Sequence, residues 1–117
     1  MPKYARVTGW GKYLPENIVT NKDLEEKVNT SDSWIQTRTG IRERRIATDG
    51  EVVSGMAVKA TQNALRTAGL KPEQLDLVIV ATVTPEMIFP SCASLVQHAI
   101  GAKNAAAFDL NAASSVS

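Results

Sequence analysis

Leu77 to Thr82, L-V-I-V-A-T, is an unbroken β-rich run with no polar residue interrupting its first five positions. A strand of this composition fits the interior of a parallel sheet, where helices cover both faces. Parallel neighbours cannot be joined by a tight turn, so such a strand calls for helical crossovers beside it. The sequence supplies them. Val53, Met56, Ala57, Ala60, Ala64 and Ala68 recur at helical period, with Lys59, Gln62, Asn63 and Arg66 on the other side and Gly69 closing the segment. Pro72 to Leu75 makes a turn, Ser91 to Ile100 a shorter helix ended by Gly101, and Ala105 to Leu110 a further strand. Tyr4 to Tyr13 reads as a first strand, turning at Leu14 and Pro15. After it, Thr20 stands three residues before Asp23, a capping-box-like spacing that starts a short helix with Leu24 and Val28 on one face. The order β, helical insertion, α, β, α, β predicts an α/β layered fold with right-handed crossovers.

A chain of 117 residues is one domain or part of one. Its apolar fraction of 44% and charged fraction of 21% are those of an ordinary globular protein. A net charge of +1 excludes general attraction to nucleic acid or to a membrane surface, which needs a broad basic face. The longest strongly apolar run, Leu77 to Ala81, falls far short of the roughly 20 residues that span a bilayer. No basic-then-apolar segment resembling a signal peptide is present. Cys92 is the only cysteine, so no internal disulfide forms and a reducing cytoplasm is the expected compartment. Neither a metal-ligand cluster nor an internal repeat is visible.

The block from Thr30 to Arg45 carries the chemistry. Thr30 or Ser31 starts a helix, Asp32 sits favourably in its positive first turn, and Gly40 occupies the position that closes it. Within that helix Trp34 and Arg38 lie four residues apart and so share a face, placing a flat aromatic beside a planar cation. The pair suits a ligand carrying both a base and phosphates. On spacing alone a packed aromatic with a surface ion-pair partner is the stronger reading. Arg42, Arg44 and Arg45 follow, either as an extension of the basic patch or as a solvated loop partly compensated by Glu43. At the other end of the chain, A-F-D-L-N-A-A-S-S-V-S runs a strand into a small-residue elbow. The crossover expected after Leu110 stops in its first turn, so the expectation is a fragment or one piece of an assembly.

An ordered set of motifs gives these features a family. They are G-x-G-x-Y-L-P at Gly9 to Pro15, T-N-x-D-L-E at Thr20 to Glu25, and T-S-D-x-W-I-x-x-R-T-G-I-x-E-R at Thr30 to Arg44. They continue with D-L-V-I-V-A-T at Asp76 to Thr82, F-P-S at Phe89 to Ser91, and A-F-D-L-N-A-A at Ala107 to Ala113. In this order they resemble the N-terminal third of a β-ketoacyl-acyl carrier protein synthase III, one of the thiolase-fold condensing enzymes. The resemblance implies an incomplete thiolase-like α/β fold: residues 1–117 form a partial N-terminal domain, cut at the start of the nucleophile-bearing helix. It implies a homodimeric acyltransferase that starts fatty-acid synthesis. An acyl group passes from acyl-CoA to a cysteine and is then condensed with malonyl-acyl carrier protein, releasing carbon dioxide. Acyl-CoA is a substrate, and no cofactor or metal is implied.

The family's nucleophilic cysteine maps to Ser114. A helix N-terminus lowers a cysteine pKa from about 8.5 into roughly the 3.5–7.5 range, which yields a thiolate able to carry an acyl group. A serine hydroxyl is a far weaker acid and needs a base, and none stands nearby in sequence. The family's condensing histidine and asparagine come from its C-terminal half. Where the family reads C-S-G-F, this chain reads Ser114, Ser115, Val116 and Ser117. The expectation is therefore a truncated piece that is inactive alone, with a truncation or altered terminus behind the mismatch.

By the same resemblance, Thr30, Trp34 and Arg38 form the coenzyme A mouth: Trp34 stacks on adenine, Thr30 hydrogen-bonds it, and Arg38 meets base or phosphate. Phe89 lines the acyl pocket across the dimer interface, although plain packing with Met87 and Ile88 is a competing explanation. Cys92 and His98, six residues apart, lie on different helix faces and are not expected to act together. A non-catalytic acyl-CoA-binding or assembly module that pairs with another chain is the alternative function. A Rossmann nucleotide fold is disfavoured because Gly9 and Gly11 lack the third glycine. An esterase is disfavoured because Ser114 lacks the glycines of a nucleophile elbow.

Overall fold

The computed structural model describes residues 1–111, arranged as two compact units: Leu14–Glu51, and the segments Met1–Tyr13 and Val52 onward.

In the Leu14–Glu51 unit, β1 (Asn17–Thr20) pairs antiparallel with β2 (Glu43–Ile46), with Asn17 opposite Ile46 and Thr20 opposite Glu43. The insertion read as helical thus contains a strand pair as well. Between the strands lie α1 (Asn21–Glu25) and α2 (Asp32–Thr39). Thr20 caps α1 through a reciprocal capping box: its hydroxyl accepts the Asp23 amide at 3.2 Å, and the Asp23 carboxylate accepts the Thr20 amide at 2.7 Å. This helix ends at Glu25, so Val28 does not share its face and is exposed.

The unit is organised by a polar side chain. Asn21 is 1% exposed. Its amide group donates to the Asp32 carboxylate at 2.7 Å and to the Ile41 carbonyl at 2.8 Å, while its carbonyl accepts from Arg44 at 2.8 Å. One buried amide thereby ties α1, α2 and β2 together with its donors and acceptor satisfied.

In the other unit, α3 (Val53–Ala68) and α4 (Cys92–Ile100) cover one face of a two-stranded parallel sheet, β3 (Leu77–Ala81) beside β4 (Ala106–Leu110). Leu65, Val78, Ala93, Val96, Ile100, Ala102 and Ala105 form its core. Val78, Val80 and Ala107 point into that core. Leu77, Ile79, Phe108 and Leu110 point the other way and are about half exposed. The expectation that β3 is buried on both faces is therefore corrected: among the described residues both helices lie on the same side.

The expected first strand over Tyr4–Tyr13 is also corrected, because no described strand pairs with it. The segment instead runs tightly along α3. A Cβ added at Gly9 would lie 2.7 Å from the Ala64 carbonyl oxygen and from Ala68, and one at Gly11 would collide with the Ala60 carbonyl and the Ala64 amide. Glycines on the segment and alanines at every fourth position of the helix permit this approach. Asn63 on α3 fixes the register by donating to the Lys12 carbonyl at 3.1 Å.

Candidate functional site

The Ser31 hydroxyl accepts the Trp34 amide at 3.2 Å and starts α2, and Gly40, with φ of +71°, ends it. Ile35 is buried and anchors one side of the helix, which leaves Trp34 and Arg38 outward. The Asp32 carboxylate accepts from the Gln36 side chain at 2.7 and 2.8 Å and from Asn21, and these donors hold its pKa below the ordinary 3.8. The first turn is thus locked from both sides.

On the outward face the Arg38 guanidinium carbon lies 5.4 Å from the centre of the Trp34 ring, within cation–π range. Trp34 remains 55% exposed. Beside it Asn29, Thr30, Ser31 and Trp34 line an open cleft of about 340 Å³. The structure therefore brings Thr30, Trp34 and Arg38 together on one surface. An exposed indole with a cation held along it, next to a cleft edged by a hydroxyl, can stack on a planar base and meet an anionic group.

The remaining arginines divide. Arg44 donates to the Val19 carbonyl at 3.3 Å and to Asn21, and Arg45 donates to the Pro15 carbonyl at 2.8 Å. Both are half-buried in β2 and serve the fold. The basic-patch alternative survives for Arg42, which is exposed.

Phe89 belongs to the other unit, on the loop between β3 and α4. It is 89% exposed and Ile88 is 94% exposed, so the packing explanation for Phe89 fails among the described residues. The loop is held at both ends. The Asp109 carboxylate, at the fourth position of β4, accepts the Cys92 and Ala93 amides at 2.8 and 2.7 Å and caps α4 together with Ser91. Glu86 accepts the Ser54 amide at 3.1 Å and the Ser54 hydroxyl at the start of α3. Burial opposes the charge on Glu86, but the Ser54 donors outweigh it and hold the carboxyl below its usual range.

Cys92 is buried, and its thiol points at Glu86. Burial, reinforced by the Glu86 and Asp109 carboxylates, pushes its pKa up to about 11. It is a neutral thiol at physiological pH and no nucleophile. His98 is exposed near the opposite end of the same helix, beside a cleft of about 210 Å³ shared with Gln97, Gly101 and Lys103. Ser114 lies outside the described residues.

Sequence reasoning missed Asn21, Glu86 and Asp109. Asn21 and Asp109 both fall inside quoted motifs, and the signal available for Asp109 was a carboxylate in the middle of an otherwise apolar strand.

No protein-family model matches the chain. It is 59% identical over 107 residues to β-ketoacyl-[acyl-carrier-protein] synthase III of Caldanaerobacter subterraneus subsp. tengcongensis, covering 92% of this chain and 32% of that protein. The enzyme of the same name from a Roseiflexus species is 56% identical over 115 residues, covering 98% and 35%. Among solved structures, 3-oxoacyl-[acyl-carrier-protein] synthase III of Aquifex aeolicus superposes with a TM-score of 0.83 at 56% identity, covering 90% of this chain and 34% of that one. The synthase III of Thermus thermophilus gives 0.81 at 46% identity, covering 92% and 33%. The chain spans about a third of the length of the curated relatives it matches. Its fold is accordingly α/β of the thiolase-like class. Among the described residues no helix is long and apolar enough to cross a membrane.

Proposed function

We propose that this chain, which belongs to the β-ketoacyl-acyl carrier protein synthase III family across the third of those enzymes that it spans, supplies the coenzyme A-binding surface of a decarboxylating condensing enzyme. The observation that carries this is the exposed Trp34 ring with the Arg38 guanidinium 5.4 Å from its centre, beside the cleft that Thr30 lines. Trp34 stacks on the adenine of acyl-CoA, Thr30 offers a hydroxyl to its edge, and Arg38 meets base or phosphate. Among the described residues the Thr30 side chain makes no hydrogen bond, so its hydroxyl is not committed to the fold. Phe89 lines the acyl pocket of a neighbouring copy in a homodimer, which accounts for an aromatic left 89% exposed. The enzyme works in the cytoplasm with malonyl-acyl carrier protein as its second substrate.

By the family's pattern, the nucleophile of this reaction falls at position 114. With a thiolate there, sulfur attacks the acyl-CoA carbonyl, the carbon–sulfur bond to coenzyme A breaks, and coenzyme A leaves as its thiolate, which takes a proton from water. Malonyl-acyl carrier protein then loses carbon dioxide. The resulting carbanion attacks the enzyme thioester, forms the new carbon–carbon bond and releases the thiolate. Ser114 does not supply that thiolate, so the chain as it stands is inactive. The test is labelled carbon dioxide release from malonyl-acyl carrier protein by a family-length synthase containing this chain. Turnover is expected with Ser114→Cys and not with Ser114. Absence of turnover with cysteine present contradicts the proposal.

A further inference from the structure

We infer that Glu86 is a positioning residue for Phe89: its carboxylate ties the loop that presents Met87, Ile88 and Phe89 to the first turn of α3. This rests on Phe89 lining the acyl pocket. The loop runs from Thr82 to Ser91. Its first residue is tied to the sheet by the Thr82 amide donating to the Leu110 carbonyl at 3.2 Å, and the Thr84 amide folds back onto the Thr82 hydroxyl at 3.1 Å. Its far end is fixed where Ser91 and Asp109 cap α4. Between Thr84 and Ser91, hydrogen bonds among the described residues run through Glu86 alone; Met87, Ile88 and Phe89 make none. Ile88 and Phe89 also gain little from burial, at 94% and 89% exposed. Neither apolar packing nor backbone pairing therefore sets their direction.

Glu86 is built to do so. One oxygen accepts the Ser54 amide at 3.1 Å, one of the unpaired N–H groups that every helix start leaves, and the other accepts the Ser54 hydroxyl. The first oxygen also receives the buried Cys92 thiol at 3.7 Å. The carboxylate thus touches the starts of both helices while sitting directly before the apolar tip. It contacts no reacting atom, and acts by holding the side chain that does.

The test is a double-mutant cycle on the acylation step of the Ser114→Cys family-length synthase. A 4-fluorophenylalanine at position 89 reports loop order in parallel. Glu86→Ala and Phe89→Ala are each expected to lower kcat/KM for acyl-CoA, by up to about 100-fold, the scale of a 1 Å misplacement. In the Phe89→Ala background, Glu86→Ala is expected to add nothing. Glu86→Asp recovers part of the loss, and Ser54→Ala reproduces part of it without removing the carboxylate. The fluorine resonance is expected to shift and broaden in Glu86→Ala. Losses that multiply in the double variant overturn the inference, as does an unchanged resonance in Glu86→Ala. A silent Phe89→Ala removes the acyl-pocket assignment and this inference with it, and the fluorine signal still reports separately whether the tether exists.

Discussion

Between Leu14 and Glu51 the most buried side chain is an asparagine; from Val52 onward, Ala93, Ala102 and Val96 are buried as completely. The first unit closes around Asn21, with hydrogen bonds to α2, to the Ile41 carbonyl and to Arg44, and with Ile35 as its buried apolar anchor. The second closes around seven aliphatic residues packed between two helices and a sheet. The difference follows from what each presents. A unit that leaves Trp34 and Arg38 outward and buries few apolar side chains is fixed by polar contacts and helix caps. The other unit buries an apolar helix face and gains its order from area removed from water.

The sharpest break of this contrast is Asn21→Ala. It strips partners from Asp32, Ile41 and Arg44 at once and is expected to cost the Leu14–Glu51 unit about 2–4 kcal/mol. Amide exchange should accelerate in β1 and β2 while β3 and β4 keep their protection. Equal loss in both sheets means the two are not separately held. The complementary break is Gly11→Ala, which drives a methyl into the backbone of α3. About 1–3 kcal/mol of destabilisation is expected, read as faster exchange in α3 with β1 and β2 unaffected.

A smaller effect comes from acid. Because the Asp32 carboxyl titrates below its ordinary 3.8 in the folded unit, its contribution is present above that value and is lost as pH falls through the lower folded one. Asp32→Asn should flatten the acid dependence of β1–β2 protection. A wild-type and a variant that titrate alike would show that Asp32 does not carry it.

How much of this could be read in the residues depends on which force was at work. Helices set by local rules were legible: Thr20 with Asp23, Ser31 before Asp32, and Gly40, Gly69 and Gly101 at left-handed C-terminal positions announce themselves within a few residues. The Trp34–Arg38 pairing followed from a four-residue spacing and stands in the structure. Long-range polar contacts were not legible. Glu86 meets Ser54 across 32 positions and Asp109 meets Cys92 across 17, distances at which no periodicity reports a hydrogen bond. Strand assignment failed where a partner was required. Tyr4–Tyr13 has strand-like composition but lies along a helix, while Asn17–Thr20 is too short, and Glu43–Ile46 too short and too charged, to declare themselves without each other.

The central claim is that the face carrying Trp34 and Arg38 grips the nucleotide end of coenzyme A. Isothermal titration of a family-length synthase containing this chain, with coenzyme A and with pantetheine, which lacks the nucleotide, measures that grip directly. The unmodified protein is expected to prefer coenzyme A. Trp34→Ala alone should cost about 1–3 kcal/mol, roughly 5- to 150-fold in affinity. Trp34→Ala with Arg38→Ala should bring the two ligands level. A double variant that still prefers coenzyme A by the original margin would contradict the account.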